Sequence, residues 1–157
     1  MAPAKGNQGR TELLALSDED LLTACLWAEA RGEPERGQIA VAGVILNRVS
    51  RHMAKSTRGA ILAPRQFSWT NPKDVNFSKV LEAPHADPGG WKRARRVARA
   101  AMGESFEDTS LGADHYLNVE LTRKFRGGAL PRWAEEGIRL GKVTAVIGNH
   151  TFLNLRG

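Results

Sequence analysis

Between Ile39 and Val49 nearly every residue is apolar: Ile39, Val41, Ala42, Val44, Ile45, Leu46 and Val49. A helix that is hydrophobic all round is a core helix, so the rest of the chain has to wrap it. Asn47 and Arg48 are its only polar interruptions before it dissolves into Ser50, Arg51 and His52. Pro34 stands where this helix would begin, at the position proline tolerates best, with Glu33 and Glu35 on either side. A chain of 157 residues suffices for one domain core around such an element.

A second helix precedes it. Ser17 is a good N-cap, and Asp18, Glu19 and Asp20 put negative charge on the first turn, where the helix dipole favours it. Leu22, Cys25 or Leu26, and Glu29 fall on one face, and Gly32 is a natural stop. Residues 1–16 read as a flexible, polar lead-in and 17–157 as one domain. Cys25, among apolar neighbours, reads as a buried structural thiol.

Further along, Thr57 to Ala63 predicts a short helix closed by Pro64. Gln66-Phe67-Ser68-Trp69 is extended or turn-like, Asn71-Pro72 marks a turn, and residues 73–83 form a weak helix. Pro84 to Gly90 reads as a loop. Asp87-Pro88 opens a clearer helix with Trp91, Ala94, Val97 and Ala101 inward, ended by Gly103. After it the signal changes to strand. Ala113 to Val119 is one strand, and Lys142–Ile147 and Thr151–Leu155 flank Gly148-Asn149 as a hairpin. Helices first and a small sheet later predict an α+β fold.

The charge balance is 23 Lys+Arg against 17 Asp+Glu, a net +6. Lys92, Arg93, Arg95, Arg96 and Arg99 crowd one helix face, which is either a solvated surface or a contact for an anionic polymer. No nucleic-acid-binding motif accompanies it, so no specific nucleic-acid partner is expected. One cysteine excludes a disulfide framework within the chain and a Cys-rich zinc site. No apolar run approaches the ~20 residues of a membrane span. The N-terminus lacks the apolar core of a secretory signal, so synthesis in a cytoplasm is expected.

Glu29 is the residue with chemistry. A carboxyl at the end of an apolar stripe has its pKa raised by burial, which suits a general acid near neutral pH. The competing reading is a helix-end ion pair, with Arg31 close by. His85, Asp87, Asp114, His115 and His150 match no metal-ligand spacing, and neither metal nor cofactor is expected. Trp69, Trp91 and Trp133 suit core packing as well as sugar stacking.

The segment Trp27-Ala28-Glu29-Ala30-Arg31-Gly32-Glu33-Pro34, followed by Gly37 to Ala42 and Val44 to Val49, resembles the cell wall hydrolase family typified by the spore-cortex-lytic enzyme SleB. Gln66-Phe67-Ser68, the Arg95–Gly103 helix, His115-Tyr116-Leu117-Asn118 and Ile147 to Phe152 continue the resemblance in order. It implies a mainly helical, lysozyme-like or transglycosylase-like lobe with a small C-terminal antiparallel sheet. It further implies an enzyme that cleaves the β-1,4 bond between N-acetylmuramic acid and N-acetylglucosamine in peptidoglycan, with Glu29 as catalytic acid/base. Glu33 would cap the next helix or support the site, with Tyr116 and His150 helping to orient Glu29. Gln66, Phe67, Ser68 and Asn118 would line the groove.

Two chemistries follow from that resemblance. A lytic transglycosylase needs Glu29 alone, because the muramic acid C6 hydroxyl attacks; the family leans this way. A muramidase needs a second carboxylate ~5–9.5 Å away, for which Glu33 and Asp114 are the candidates. A zinc amidase or a non-catalytic wall- or DNA-binding module using residues 92–99 are the remaining alternatives. The short, basic chain is similar to bacteriophage endolysins, which implies a monomer released to the wall through a holin-made breach. The positive charge would then attract it to an anionic envelope.

Overall fold

The computed structural model describes residues 11–157. Residues 11–15 are helical, and Leu13 is fully buried. Arg58 holds this segment in place, donating to the carbonyls of Leu14 (3.2 Å) and Leu16 and pairing with Asp18 at 3.0 Å. Order therefore begins earlier than the expected lead-in over 1–16, whose first ten residues lie outside the described residues.

Helix α1 (Asp18–Ala30) starts as its sequence dictates, with the Ser17 side chain accepting from the Asp20 amide. Every residue from Leu21 to Trp27 is buried, so the one-sided stripe read from the sequence understates it. The reason is its company. Helix α2 (Glu35–Ser50), helix α3 (Thr57–Leu62), helix α4 (Val75–Ala86) and helix α5 (Pro88–Ala101) all pack on α1. Helix α2, expected at the centre, shares it with α1. Pro34 is the N-cap of α2 rather than its first residue.

Between α3 and α4, Ser68–Thr70 forms a short 3-10 turn beneath which Phe67 and Trp69 are buried. The expected loop from Pro84 is not there. Helix α4 runs through Pro84 to Ala86, and only Asp87 separates it from α5. Asp87 makes the sharp junction possible. Its carboxylate accepts from the Gly90 amide (3.1 Å), capping α5, and from Trp27 Nε1 (2.9 Å), fastening the corner to α1.

The C-terminal part carries the sheet. Strands β1 (His115–Leu117), β2 (Val143–Ile147) and β3 (His150–Leu153) are antiparallel in the order β1-β3-β2. Gly148 and Asn149 close the hairpin, Ile147 pairing with His150 and Gly148 adopting φ +57°. Between β1 and β2 the chain forms two helices that the sequence reading missed, α6 (Val119–Phe125) and α7 (Arg132–Arg139). They build a small second core of Leu117, Leu130, Ala134 and Leu153 against the outer face of the sheet. The α+β expectation, mainly helical with a small C-terminal antiparallel sheet, describes the molecule. Among the described residues no helix is long and apolar enough to cross a membrane.

A partly buried strut joins the two parts. Asp108, in the loop before β1, accepts from the Asn47 side chain (2.8 Å) and from the Ser110 and Gly112 amides. Asn47 donates in turn to the Ala113 carbonyl at 2.8 Å. Gly43 lets the loop come this close: a Cβ there would sit 2.0 Å from Asp108 Oδ1.

Candidate active site

Glu29 lies on the last turn of α1, partly buried, and faces β1 rather than solvent. The Tyr116 hydroxyl donates to Glu29 Oε1 at 2.5 Å, joining residues 87 apart in sequence. Burial raises the Glu29 pKa; the Tyr116 hydrogen bond and the nearby Arg48 charge pull it partly back, while Asp74 adds to the rise. The net effect is a carboxyl that keeps its proton to higher pH than an ordinary glutamate. Arg31, the rival partner, is engaged elsewhere. Its guanidinium lies 4.1 Å above the Trp27 ring and donates to the Trp27 and Ala28 carbonyls.

Tyr116 is itself held by aromatic neighbours, its ring 5.0 Å from His150 and 5.8 Å from Phe152. Burial and the adjacent Glu29 push its phenol well above the usual range, so it stays a hydrogen-bond donor. His150 is buried against Glu33, with Nδ1 3.8 Å from Glu33 Oε1. Burial lowers the His150 pKa, and the Glu33 charge opposes that fall.

Glu33 does not cap α2. Its Oε2 accepts from the Asn149 amide at 3.2 Å, clamping the hairpin turn onto the α1–α2 junction. A Cβ on Gly148 would lie 2.2 Å from that oxygen, so this turn needs glycine both for its positive φ and for the clamp.

Asp114 is fully buried and fully occupied. It accepts from Arg51 (3.0 Å), the His115 ring (2.9 Å) and the Leu155 and Arg156 amides. Burial works to raise its pKa, but the His115 ring and the Leu155 and Arg156 amides outweigh it and hold the carboxyl below its ordinary value. It is a structural anchor with no room for substrate, which removes it as a second catalytic carboxylate.

The expected groove residues divide. Gln66 is exposed and accepts from Arg48 Nη1 at 3.1 Å, and Ser68 is exposed beside it. Phe67 departs from the expectation: it is 4% exposed and packed in the main core, so it holds the segment down instead of presenting a face. Asn118 is spent as the N-cap of α6, accepting from the Leu121 amide at 2.9 Å.

The sequence reading missed Arg48 as a member of the site. Its Nε donates to the Asp114 carbonyl at 2.8 Å, and its charge reaches Glu29 and Tyr116. The signal was present, since a cation inside an otherwise apolar helix requires a partner. The basic face of α5 is partly paired within the fold. Arg95 pairs with Asp20 (2.7 Å), Arg99 with Glu19 (2.9 Å) and Arg96 with Glu35 (3.7 Å), so these three hold α5 to α1 and α2. Lys92, Arg93, Arg96 and Arg99 are all exposed. No three His, Cys, Asp or Glu side chains converge on a metal-sized space among the described residues. Cys25 is buried in the core, as expected of a structural thiol.

Comparison with known proteins gives concordant results. A family model described as Cell Wall Hydrolase matches residues 32–153. The spore cortex-lytic enzyme of Oceanobacillus iheyensis is 40% identical over 83 residues, covering 47% of this chain and 30% of the relative. That of Halalkalibacterium halodurans is 36% identical over 105 residues, covering 66% of this chain and 28% of the relative. The chain thus spans less than a third of the length of these two curated relatives. Among solved structures, the catalytic domain of the germination-specific lytic transglycosylase SleB from Bacillus anthracis superposes with a TM-score of 0.64 at 26% identity, covering 89% of this chain and 98% of that one. The catalytic domain of the Bacillus cereus SleB protein gives 0.64 at 27% identity, with 87% and 89% covered.

Proposed function

The chain belongs to the cell wall hydrolase family, and on that footing we propose that it is a lytic transglycosylase that cuts the glycan strands of peptidoglycan. The observation that carries this reading is a proton-holding carboxyl, Glu29, whose carboxylate neighbours among the described residues have structural work, Asp74 as the N-cap of α4 accepting from the Asn76 amide. Glu29 Oε1 accepts from Tyr116, which leaves Oε2 to face the bridging oxygen. Glu33 is committed to the hairpin turn and Asp114 to its four donors.

Glu29 protonates the oxygen that leaves with N-acetylglucosamine, and the bond to muramic acid C1 breaks with oxocarbenium character. The carboxylate so formed takes the proton from the muramic acid C6 hydroxyl, whose oxygen closes on C1. One proton is given and one recovered, no water is consumed, and the product is a 1,6-anhydro end. The burial that raises the Glu29 pKa favours the first half, and Tyr116 stabilises the carboxylate needed for the second.

Mass spectrometry of fragments released from purified sacculi tests this. Wild type should yield muropeptides one water lighter than hydrolysed ones, and Glu29→Gln none. Ordinary reducing ends would make the enzyme a muramidase and overturn the transglycosylase assignment. The narrower role of a phage endolysin is supported by the net +6 charge. Expression inside a bacterium should then lyse it only when a holin is co-expressed; lysis without one would count against that role.

A further inference from the structure

A cleft of about 260 Å³ has Arg48, Gln66, His115 and Arg156 as its polar rim, and Arg48 links it electrostatically to Glu29. Ala60 and Ala63 form part of its apolar floor. It shares Arg48 and Gln66 with the catalytic surroundings, so a ligand there reaches the reacting strand without a second binding mode.

Its charge is unbalanced. Arg48 uses two hydrogen bonds, to the Asp114 carbonyl and to Gln66, and both acceptors are neutral. A guanidinium has five N–H groups in a fork that matches a carboxylate. Among the described residues Arg48, which is partly buried, forms no ion pair. Asp114, the nearest carboxylate behind it, is occupied by Arg51, His115 and two backbone amides. His115 spends Nδ1 on Asp114, which leaves Nε2 for another partner. Arg156 is anchored through its backbone amide and has an exposed side chain at the rim.

Glu29 and Asp114 act on Arg48 through space without forming an ion pair with it, and Arg156 adds a second cation at the rim, so the cleft favours an anion. We propose that this cleft binds a carboxylate carried by the lactyl-peptide arm of the glycan strand, so that the enzyme selects strands by their acidic substituents as well as by their sugars. This rests on the peptidoglycan reading above and names the part of that substrate the cleft holds.

The test uses the full chain, Arg156→Glu, and Lys79→Glu as a control with the same change of net charge on a helix outside the cleft. Three substrates are compared after removal of attached phosphate polymers: native strands, strands stripped by an amidase, which keep a lactyl carboxylate, and strands capped with methylamine through carbodiimide. Wild-type KM should rise about 5- to 10-fold on capped strands. Arg156→Glu should raise KM several-fold on native strands and leave capped strands unaffected, while Lys79→Glu follows wild type. If stripped strands behave as native ones, the cleft accepts a carboxylate at either place on the arm, the lactyl one replacing the peptide one; if they behave as capped ones, only a peptide carboxylate serves. Indifference of wild type to capping, or an equal loss for Arg156→Glu on native and capped strands, overturns the proposal. Co-sedimentation of Glu29→Gln with native and capped sacculi reads the cleft even if no anhydro product forms. Several-fold tighter binding to native material, lost in Glu29→Gln carrying Arg156→Glu, supports the cleft; equal binding overturns it. Absence of anhydro ends alone would overturn only the transglycosylase reading.

Discussion

Glu29 sets chemistry against stability at one residue. Its folded-state pKa is raised, so the native chain holds a proton that the unfolded chain releases from about pH 4.3 upward. Folding stability is therefore lost as pH rises from that value through the folded pKa. Glu29→Gln should abolish cleavage, by about 10²-fold or more, and should melt at a higher temperature than wild type at pH 7. That advantage should vanish below pH 4, and calorimetry at the two pH values checks it. Tyr116→Phe removes the donor that favours the carboxylate. Glu29 then stays protonated to higher pH, and the alkaline limb of the pH–rate profile should move upward while kcat falls about tenfold. An unmoved limb would mean that Tyr116 does not tune Glu29. Glu29 was legible in the sequence because a carboxyl ending an apolar stripe is anomalous by itself. Tyr116 and His150 were legible only through family resemblance, since nothing local in β1 or β3 reveals partners as distant in sequence as Glu29 and Glu33.

Among the elements, the long ones were readable and the short ones were not. Helices α1, α2 and α5 have caps, dipole charges and apolar faces that agree with one another. Helix α6 spans 7 residues and buries none of them. Helix α7 spans 8 and buries only the small residues Ala134 and Gly137, so both fall short of the window of about 11–18 residues over which periodicity marks a packed helix. The junction at Asp87 was misread because proline usually breaks a helix, whereas here Pro84 falls in the final turn, where α4 ends anyway. The hairpin was readable through Gly148-Asn149, but the clamp from Glu33 was not. Gly148→Ala meets both a positive φ and the Glu33 carboxylate. It should cost about 1–3 kcal/mol, measured by urea unfolding, and should lower activity by disturbing His150 and Tyr116. Asp108→Ala strips the strut of three accepted hydrogen bonds. A loss of about 2–4 kcal/mol is expected, with kcat reduced because β1 is no longer fixed against α2. Unchanged kcat in a folded Asp108→Ala protein would show that the strut serves stability alone.

Across the whole molecule, Asp114 is the electrostatic anchor, tying α2 through Arg51 to the residues that follow β3. Its folded pKa is depressed, so its contribution is fully present above the unfolded value of about 3.9 and disappears as pH falls through the folded one. Acid unfolding of wild type should reflect this loss. Asp114→Asn should be less stable at pH 7 by about 2–4 kcal/mol, with a shallower dependence on acid; equal slopes would mean another group governs the transition. The strand order β1-β3-β2 also has a meaning in time. The middle strand is the last to be synthesised, so β1 and β2 leave the ribosome with no neighbour to pair with. Tyr116 is translated early and locked late. A nascent chain can assemble its helices around α1, Glu29 included, and still have no competent site until His150–Leu153 slides between its two waiting partners. An enzyme of the proposed kind would gain its activity only once β3 has been made and seated.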